Sequence, residues 1–177
     1  HGVYKDEYYT KGGFDSIINF NTQGGGVLAK GSVAATYQSY ANSINSDPDF
    51  NVLSYISSHD SVLTRGNSIY MGSAFLMLPG AVQMFYGDET DRKVDETASS
   101  NGDHDLRSDM NWDDMNEDTL AHWQKVGTFR NNHIAVGAGA NASLTSDDGV
   151  AFSRIYNSND IYDKIAACIG CTSNKDV

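Results

Sequence analysis

Short β-prone segments alternate with segments of helical periodicity over most of the chain, and this alternation constrains the fold more than any other feature. The β-prone segments are 15–20, 51–56 and 81–86, and the helical segments are 27–44, 66–78 and 117–131. The order strand–helix–strand–helix–strand–helix predicts parallel strands joined by right-handed crossovers. We therefore predict an α/β fold.

The length of the chain limits what this alternation can build. The chain has 177 residues, whereas a complete (β/α)8 barrel needs about 250 and an open doubly wound sheet usually has roughly five or more strands. The first residue is His1 rather than Met, and no signal-peptide pattern opens the chain. We expect that a leader has been removed or that upstream sequence is missing, and that the chain is part of something larger.

The last part of the chain has a different pattern. A stretch rich in Gly, Ala, Asn and Ser at 137–143 predicts a linker, and two strand-like runs follow it at 150–156 and 161–169. We place a domain boundary at the linker, so that residues 1–139 form the α/β domain and residues 140–177 form a β domain.

Charge and hydropathy argue against two classes of partner. The chain carries 12 Lys+Arg against 23 Asp+Glu, a formal net charge of −11, which repels phosphate backbones and anionic lipid headgroups. The longest nearly apolar run, 74–84, is shorter than the roughly 20 residues that a transmembrane helix needs. We expect neither nucleic acid nor a membrane as a partner.

Two cysteines, Cys168 and Cys171, form a lone Cys-x-x-Cys. Without a second such pair or a nearby pair of histidines we expect no zinc site, and without a following helix the thioredoxin redox motif lacks its context. A local disulfide and two free thiols both stay open.

Chemistry-bearing side chains follow the second and third β-prone segments. They are His59 and Asp60 after the second segment, and Tyr86, Asp88, Glu89 and Arg92 after the third. Active-site residues of parallel α/β folds collect at the carboxyl ends of strands, so we expect these side chains at one edge of the sheet.

Each of these residues also has an ordinary structural explanation. His59 and Asp60 can cap a loop, and Asp88 and Glu89 can cap a helix or form salt bridges with Arg92. Arg65 can reach a substrate hydroxyl or Asp60, or form a surface ion pair instead. The aromatic rings of Tyr8, Tyr9, Tyr86 and Trp112 are candidates for stacking on sugar rings by their loop positions, whereas Tyr55, Phe75, Trp123 and Phe129 are expected in the core.

Five motifs stand in the order seen in α-amylases. They are FDSIINF at 14–20, YISSHD at 55–60, LPGAVQMFYGDE at 78–89, RSDMNW at 107–112 and HWQKVGTFR at 122–130. From about residue 12 to about residue 139 the chain resembles the carboxyl-terminal part of a glycoside hydrolase family 13 enzyme, most of all the periplasmic α-amylases of maltodextrin metabolism.

The resemblance implies a particular architecture. The three β-prone segments are then strands six to eight of a (β/α)8 TIM barrel, and residues 140–177 begin the β-sandwich that follows it. The chain would require the N-terminal part of the barrel as a partner, and the expected location is secreted or periplasmic. The resemblance implies no cofactor and no metal ligand within this segment, although the parent enzyme can bind calcium.

The resemblance also implies roles for site residues. Asp60 would be the carboxylate that grips substrate hydroxyls and stabilises the transition state, and His59 would hydrogen-bond sugar hydroxyls beside it. Asp88 and Glu89 would order the rim of the site, with Arg92 close behind them. The nucleophile and the general acid would lie on strands upstream of this segment.

The expected function is therefore retaining hydrolysis of α-1,4-glucosidic bonds in starch or maltodextrin, with this chain as a fragment that is inactive alone. The alternative is a non-catalytic module that binds maltodextrin or caps a partner chain. Because an incomplete barrel leaves a strand edge unpaired, we expect the isolated chain to be poorly soluble or dependent on a partner.

Overall fold

A computed structural model describes Glu7 and residues 11–172, apart from the side chains of 99–103. Tyr8 and Tyr9 lie outside the described residues. The strands are β1 (Ile17–Asn19), β2 (Val52–Ser54), β3 (Ala81–Val82), β4 (Ala140–Leu144), β5 (Val150–Ser158) and β6 (Ile161–Ile169). The α-helices are α1 (Val33–Ser46), α2 (Ser68–Leu76), α3 (Glu117–Asn132) and α4 (Ile134–Ala138), and Phe20–Leu28 and Glu96–Arg107 form two 3₁₀ segments.

The first three strands form a parallel sheet in the order β1-β2-β3. Ile17 pairs with Val52, and Leu53 pairs with Ala81. The predicted parallel arrangement and the alternation with helices are confirmed. The strands are shorter than the β-prone segments, because the chain leaves the ladder after two or three residues and continues as loops at the carboxyl edge.

The first helix starts later than predicted. Helical periodicity indicated a helix from residue 27, but α1 begins at Val33 and the first 3₁₀ segment precedes it. Within that segment Gly24 and Gly25 have φ of 75° and 72°, a left-handed conformation that an α-helix cannot contain. The side chain of Thr22 instead ties this segment to β2, because its hydroxyl donates to the carbonyl of Tyr55 over 2.8 Å.

The predicted linker at 137–143 is wrong. These residues end α4 and form β4, an edge strand of the antiparallel sheet β4-β5-β6. The small residues serve close packing: a Cβ on Gly139 would lie 2.7 Å from the carbonyl oxygen of Ala135 and 3.0 Å from Cβ of Arg154. The glycine at 139 therefore indicates close packing between α4 and β5 and not flexibility. The division into domains 1–139 and 140–177 stays a prediction.

One hydrophobic core joins the two sheets. Tyr37 of α1 packs edge-to-face on Phe152 of β5 with ring centroids 5.1 Å apart, and Ile165 and Ile169 of β6 complete this side of the core. Tyr55, Phe75 and Trp123 are buried, as their positions on strand and helix patterns predicted, and Phe129 is half-buried against the same core. No helix among the described residues has the length and apolarity needed to cross a membrane.

Asp163 of β6 fastens the antiparallel sheet to the start of α4. Its two carboxylate oxygens lie 2.9 Å from Nδ1 of His133 and 2.9 Å from the main-chain nitrogen of Ala135. The second bond satisfies one of the free N–H groups at the helix start. The His133 hydrogen bond, followed by the Ala135 bond, lowers the pKa of Asp163 below its ordinary value of 3.8.

This lowered pKa predicts an acid-sensitive contact. A carboxyl group whose pKa is lowered by folding stabilises the fold above its ordinary pKa, and the contribution disappears as pH falls through the folded value. We expect Asp163→Asn to lower the free energy of unfolding at neutral pH, with the difference from wild type shrinking below pH 3.8. Urea unfolding between pH 2 and 7 measures it, with the exposed Asp147→Asn as control. A difference that does not change with pH would contradict the assignment.

Candidate functional site

The loops after β2 and β3 meet at the carboxyl edge of the parallel sheet. His59 and Asp60 lie in the first loop, and Phe85 and Tyr86 in the second. The rings of His59 and Phe85 have centroids 6.4 Å apart, and the Gln83 N–H extends the β2–β3 pairing by donating to the Ser54 carbonyl over 2.7 Å. The structure therefore brings together side chains that lie far apart in the sequence.

Asp60 presents an accessible carboxylate at this edge. Its side chain is 63% exposed, and Oδ1 lies 3.2 Å from Nε2 of His59 and 3.2 Å from Nη2 of Arg107. The Ser58 hydroxyl accepts the Asp60 main-chain N–H over 3.3 Å and so supports the turn. Exposed ion pairs contribute little to stability. We therefore interpret the contacts with His59 and Arg107 as orienting the Asp60 carboxylate, which stays accessible to a ligand.

Arg107 is a site residue that the sequence reasoning missed. It ends the second 3₁₀ segment, 47 positions after Asp60 along the chain. The RSDMNW motif at 107–112 contributed to the resemblance, but nothing local to Arg107 indicated a partner. Residues 87–116, which include Arg107, contain many carboxylates, and from the sequence alone each of them is an equally plausible partner for Arg107.

Arg65 does not contact Asp60. Its Nη1 lies 2.7 Å from Oδ1 of Asp88, and its Nε donates to the carbonyl of Arg92 over 2.5 Å. Asp88 is buried, with a side chain only 1% exposed, so the expected surface ion pair of Arg65 is a largely buried one. Of the two structural explanations offered for Asp88, a salt bridge to Arg92 is not observed, because the carboxylate pairs with Arg65 instead.

Burial dominates the electrostatics of Asp88. Desolvation raises the pKa of its carboxyl group, while a hydrogen bond to Ser57, the Arg65 charge and a main-chain bond from Phe85 act in the opposite direction. A carboxylate in such a place is stable only while its partners stay in position. Asp88 therefore holds the loop after β3 against the loop after β2.

Arg92 and Glu89 bind main-chain groups. Arg92, which is 1% exposed, donates to the carbonyl of Tyr86 over 3.2 Å and to residues of the second 3₁₀ segment and its cap. The carboxylate of Glu89 accepts the N–H of Gly87 over 3.0 Å. No salt bridge joins Glu89 to Arg92 among the described residues, so this alternative for Glu89 is not observed either.

Two of the aromatic side chains predicted to stack on sugar rings are accessible. Tyr86 is half-exposed, and its hydroxyl donates to the carbonyl of Ser108 over 2.9 Å. Trp112 is 70% exposed. Both have apolar ring faces that could stack on a sugar, and their role in stacking stays a prediction.

No group of three or more His, Cys, Asp or Glu side chains within the described part of the chain is arranged to hold a metal ion. That this segment itself contributes no metal ligand stays a prediction.

Comparison with known proteins gave one curated relative. The chain is 41% identical over 160 residues to the periplasmic alpha-amylase of Escherichia coli K12, an alignment that covers 87% of this chain and 23% of the relative. The chain therefore spans about a quarter of the length of that relative. No protein-family model matches the chain.

Solved structures share the fold. A cyclic α-maltosyl-(1→6)-maltose hydrolase from Arthrobacter globiformis aligns with a TM-score of 0.58 at 22% identity, over 87% of this chain and 37% of that chain. A cyclomaltodextrinase aligns with a TM-score of 0.56 at 16% identity, over 92% of this chain and 30% of that chain. At these identities the likeness concerns the fold alone.

Because the Arg65–Asp88 pair is buried, we predict that removing Arg65 lowers the free energy of unfolding more than removing Arg107. Arg65→Met leaves the Asp88 carboxylate buried without its partner, and we expect a loss of about 3 kcal/mol in the free energy of unfolding at pH 8. Removing Arg65 raises the pKa of Asp88 further, so the folded state binds the Asp88 proton more tightly than the unfolded state does. The loss of stability should therefore be smaller at pH 5, where protonation of Asp88 is more favourable than at pH 8.

Arg107→Met is the matched control, because its partner Asp60 is exposed and we expect its effect on stability to stay below about 1 kcal/mol. Urea unfolding at the two pH values measures both variants. Equal losses for the two variants would contradict the buried pair.

Proposed function

This chain is related to the α-amylases of glycoside hydrolase family 13, and on that premise we propose that it supplies part of the active site of an enzyme that hydrolyses α-1,4-glucosidic bonds in starch or maltodextrin. The observation that carries the proposal is the accessible Asp60 carboxylate at the carboxyl edge of the sheet, flanked by His59, within a sequence 41% identical to a periplasmic alpha-amylase.

The chemistry of glycoside cleavage suits this arrangement. The reaction passes through a transition state that resembles an oxocarbenium ion, and hydrogen bonds to ring hydroxyls strengthen as it forms. In the proposed mechanism Asp60 accepts hydrogen bonds from two adjacent sugar hydroxyls and its negative charge stabilises the developing cation. His59, 3.2 Å from the same carboxylate, donates to a neighbouring hydroxyl and fixes the sugar ring.

A retaining glycosidase also needs a nucleophile and a general acid about 5–5.5 Å apart. We assign neither to this chain. Asp88 is buried and paired with Arg65, and the Glu89 carboxylate is bonded to the main chain of its own turn. Both roles therefore fall to residues outside this segment, and the isolated chain is expected to be inactive.

The same proposal extends to architecture and location. We place β1, β2 and β3 as strands six to eight of a (β/α)8 barrel and the sheet β4-β5-β6 as the start of a β-sandwich, so that the chain requires the N-terminal part of the barrel. A secreted or periplasmic location agrees with the name of the relative and with the disulfide between Cys168 and Cys171, since disulfides persist in oxidising compartments. Calcium in the longer enzyme stays a prediction.

A chimera tests the proposed function. The 160 aligned residues of the E. coli periplasmic alpha-amylase are replaced by those of this chain, and release of reducing ends from maltohexaose is measured. We expect an active chimera, and we expect Asp60→Asn to lower its kcat by roughly 100-fold or more, because a group that stabilises charge in the transition state is lost.

Asp147→Asn, an exposed carboxylate of the β4–β5 connection, is the control and should leave kcat unchanged. A folded chimera that binds maltohexaose without turnover would favour the alternative, a non-catalytic maltodextrin-binding module. Full activity of the Asp60→Asn chimera would overturn the role of Asp60.

A further inference from the structure

Arg92 is a buried cation that forms no salt bridge with a carboxylate among the described residues, although the charges of Asp88 and Glu89 act on it from nearby. Its guanidinium donates to the carbonyls of Tyr86, Leu106 and Ser108, over 3.2, 3.3 and 3.3 Å, and to the Ser108 hydroxyl. Burial lowers the pKa of Arg92. Placing an arginine in such surroundings is costly, so the groups that its guanidinium binds indicate the role of the residue.

Those contacts hold the end of the second 3₁₀ segment. Leu106 and Ser108 flank Arg107, and Arg92 bonds the main chain on both sides of it. Ser108 is fixed a second time, because its hydroxyl donates to the carbonyl of Lys93 over 3.0 Å. With its main chain held in this way, Arg107 extends toward the edge of the sheet, where its Nη2 meets Asp60.

The residues around Arg92 leave its side chain little conformational freedom. Gly87 has φ of 84°, and a Cβ there would lie 2.5 Å from Cβ and 2.7 Å from Nε of Arg92. The guanidinium carbon also lies 4.0 Å from the centre of the Tyr86 ring, a cation–π distance. Tyr86, Gly87 and the second 3₁₀ segment therefore enclose Arg92 from separate sides.

We propose that Arg92 is a positioning residue of the candidate site, which holds the segment 106–108 so that Arg107 orients the Asp60 carboxylate for sugar hydroxyls. The part of this inference that concerns sugars rests on the proposed function. The part that concerns Arg107 and Asp60 does not. Arg92 itself touches no substrate in this account and acts through Arg107.

The chimera described above, which contains this chain within the E. coli enzyme, is used for two measurements. The first is the 13C chemical shift of the Asp60 carboxyl carbon, assigned with Asp60→Asn. The second is the dissociation constant for maltohexaose. We expect Arg92→Lys, which keeps the charge and loses the fork of donors, to move the Asp60 signal in the same direction as Arg107→Met and to weaken maltohexaose binding about tenfold.

Asp163→Asn is the control. Asp163 ties β6 to the start of α4 through His133 and Ala135, and neither element carries Asp60, Arg92 or Arg107. The variant should lower stability without moving the Asp60 signal. If Arg92→Lys does not fold, Ser108→Ala removes one acceptor of Arg92 and should produce a smaller shift of the same sign.

Non-additivity separates positioning from general damage. If Arg92 acts through Arg107, the double variant Arg92→Lys, Arg107→Met should bind no more weakly than Arg107→Met alone. An unchanged Asp60 signal in both Arg92→Lys and Ser108→Ala would overturn the inference, and so would fully additive losses. A wild-type chimera that binds no maltohexaose but shows the expected shifts would refute the proposed function and leave the positioning role supported.

Discussion

The carbonyl groups at the end of α2 are bound by two buried arginines, and the position of β3 depends on that interaction. The last carbonyls of a helix have no partner within the helix. Arg130 of α3 binds those of Leu76 and Leu78, and Arg154 of β5 binds that of Met77 over 2.6 Å. Burial lowers the pKa of each arginine to about 10, so both stay charged at neutral pH and favour the negative end of the helix dipole.

The candidate site follows from this anchor. The turn after α2 leads directly into β3, and the loop after β3 carries Tyr86, Asp88 and Arg92 at the carboxyl edge. At that edge the arginines bind carboxylates instead of main-chain carbonyls. Asp88 forms a buried ion pair with Arg65, and Asp60 forms an exposed ion pair with Arg107. The buried pair joins two loops, and the exposed pair presents a carboxylate. An overall charge of −11 would not have indicated that the carboxylate at the edge has cationic neighbours.

The sequence predicted the parallel sheet, because alternating strand and helix patterns are local signals that allow few topologies. It predicted His59 and Asp60 at the carboxyl edge for the same reason. It failed where the outcome depends on three-dimensional packing. The glycines around residue 139 indicated a linker. Gly139 instead allows its main chain to pack closely against Ala135 and the side chain of Arg154. The partners of Arg65 and Arg107 lie 23 and 47 positions away, and no local pattern selects them.

A crystal structure of the chimera with maltohexaose would show whether Asp60 and His59 form the sugar-binding part of a glycoside hydrolase site. This role predicts a glucosyl unit whose adjacent hydroxyls lie within hydrogen-bond distance of the Asp60 carboxylate and His59 Nε2, with Arg107 beside them. Sugar bound at another surface, with Asp60 still in contact only with His59 and Arg107, would contradict it.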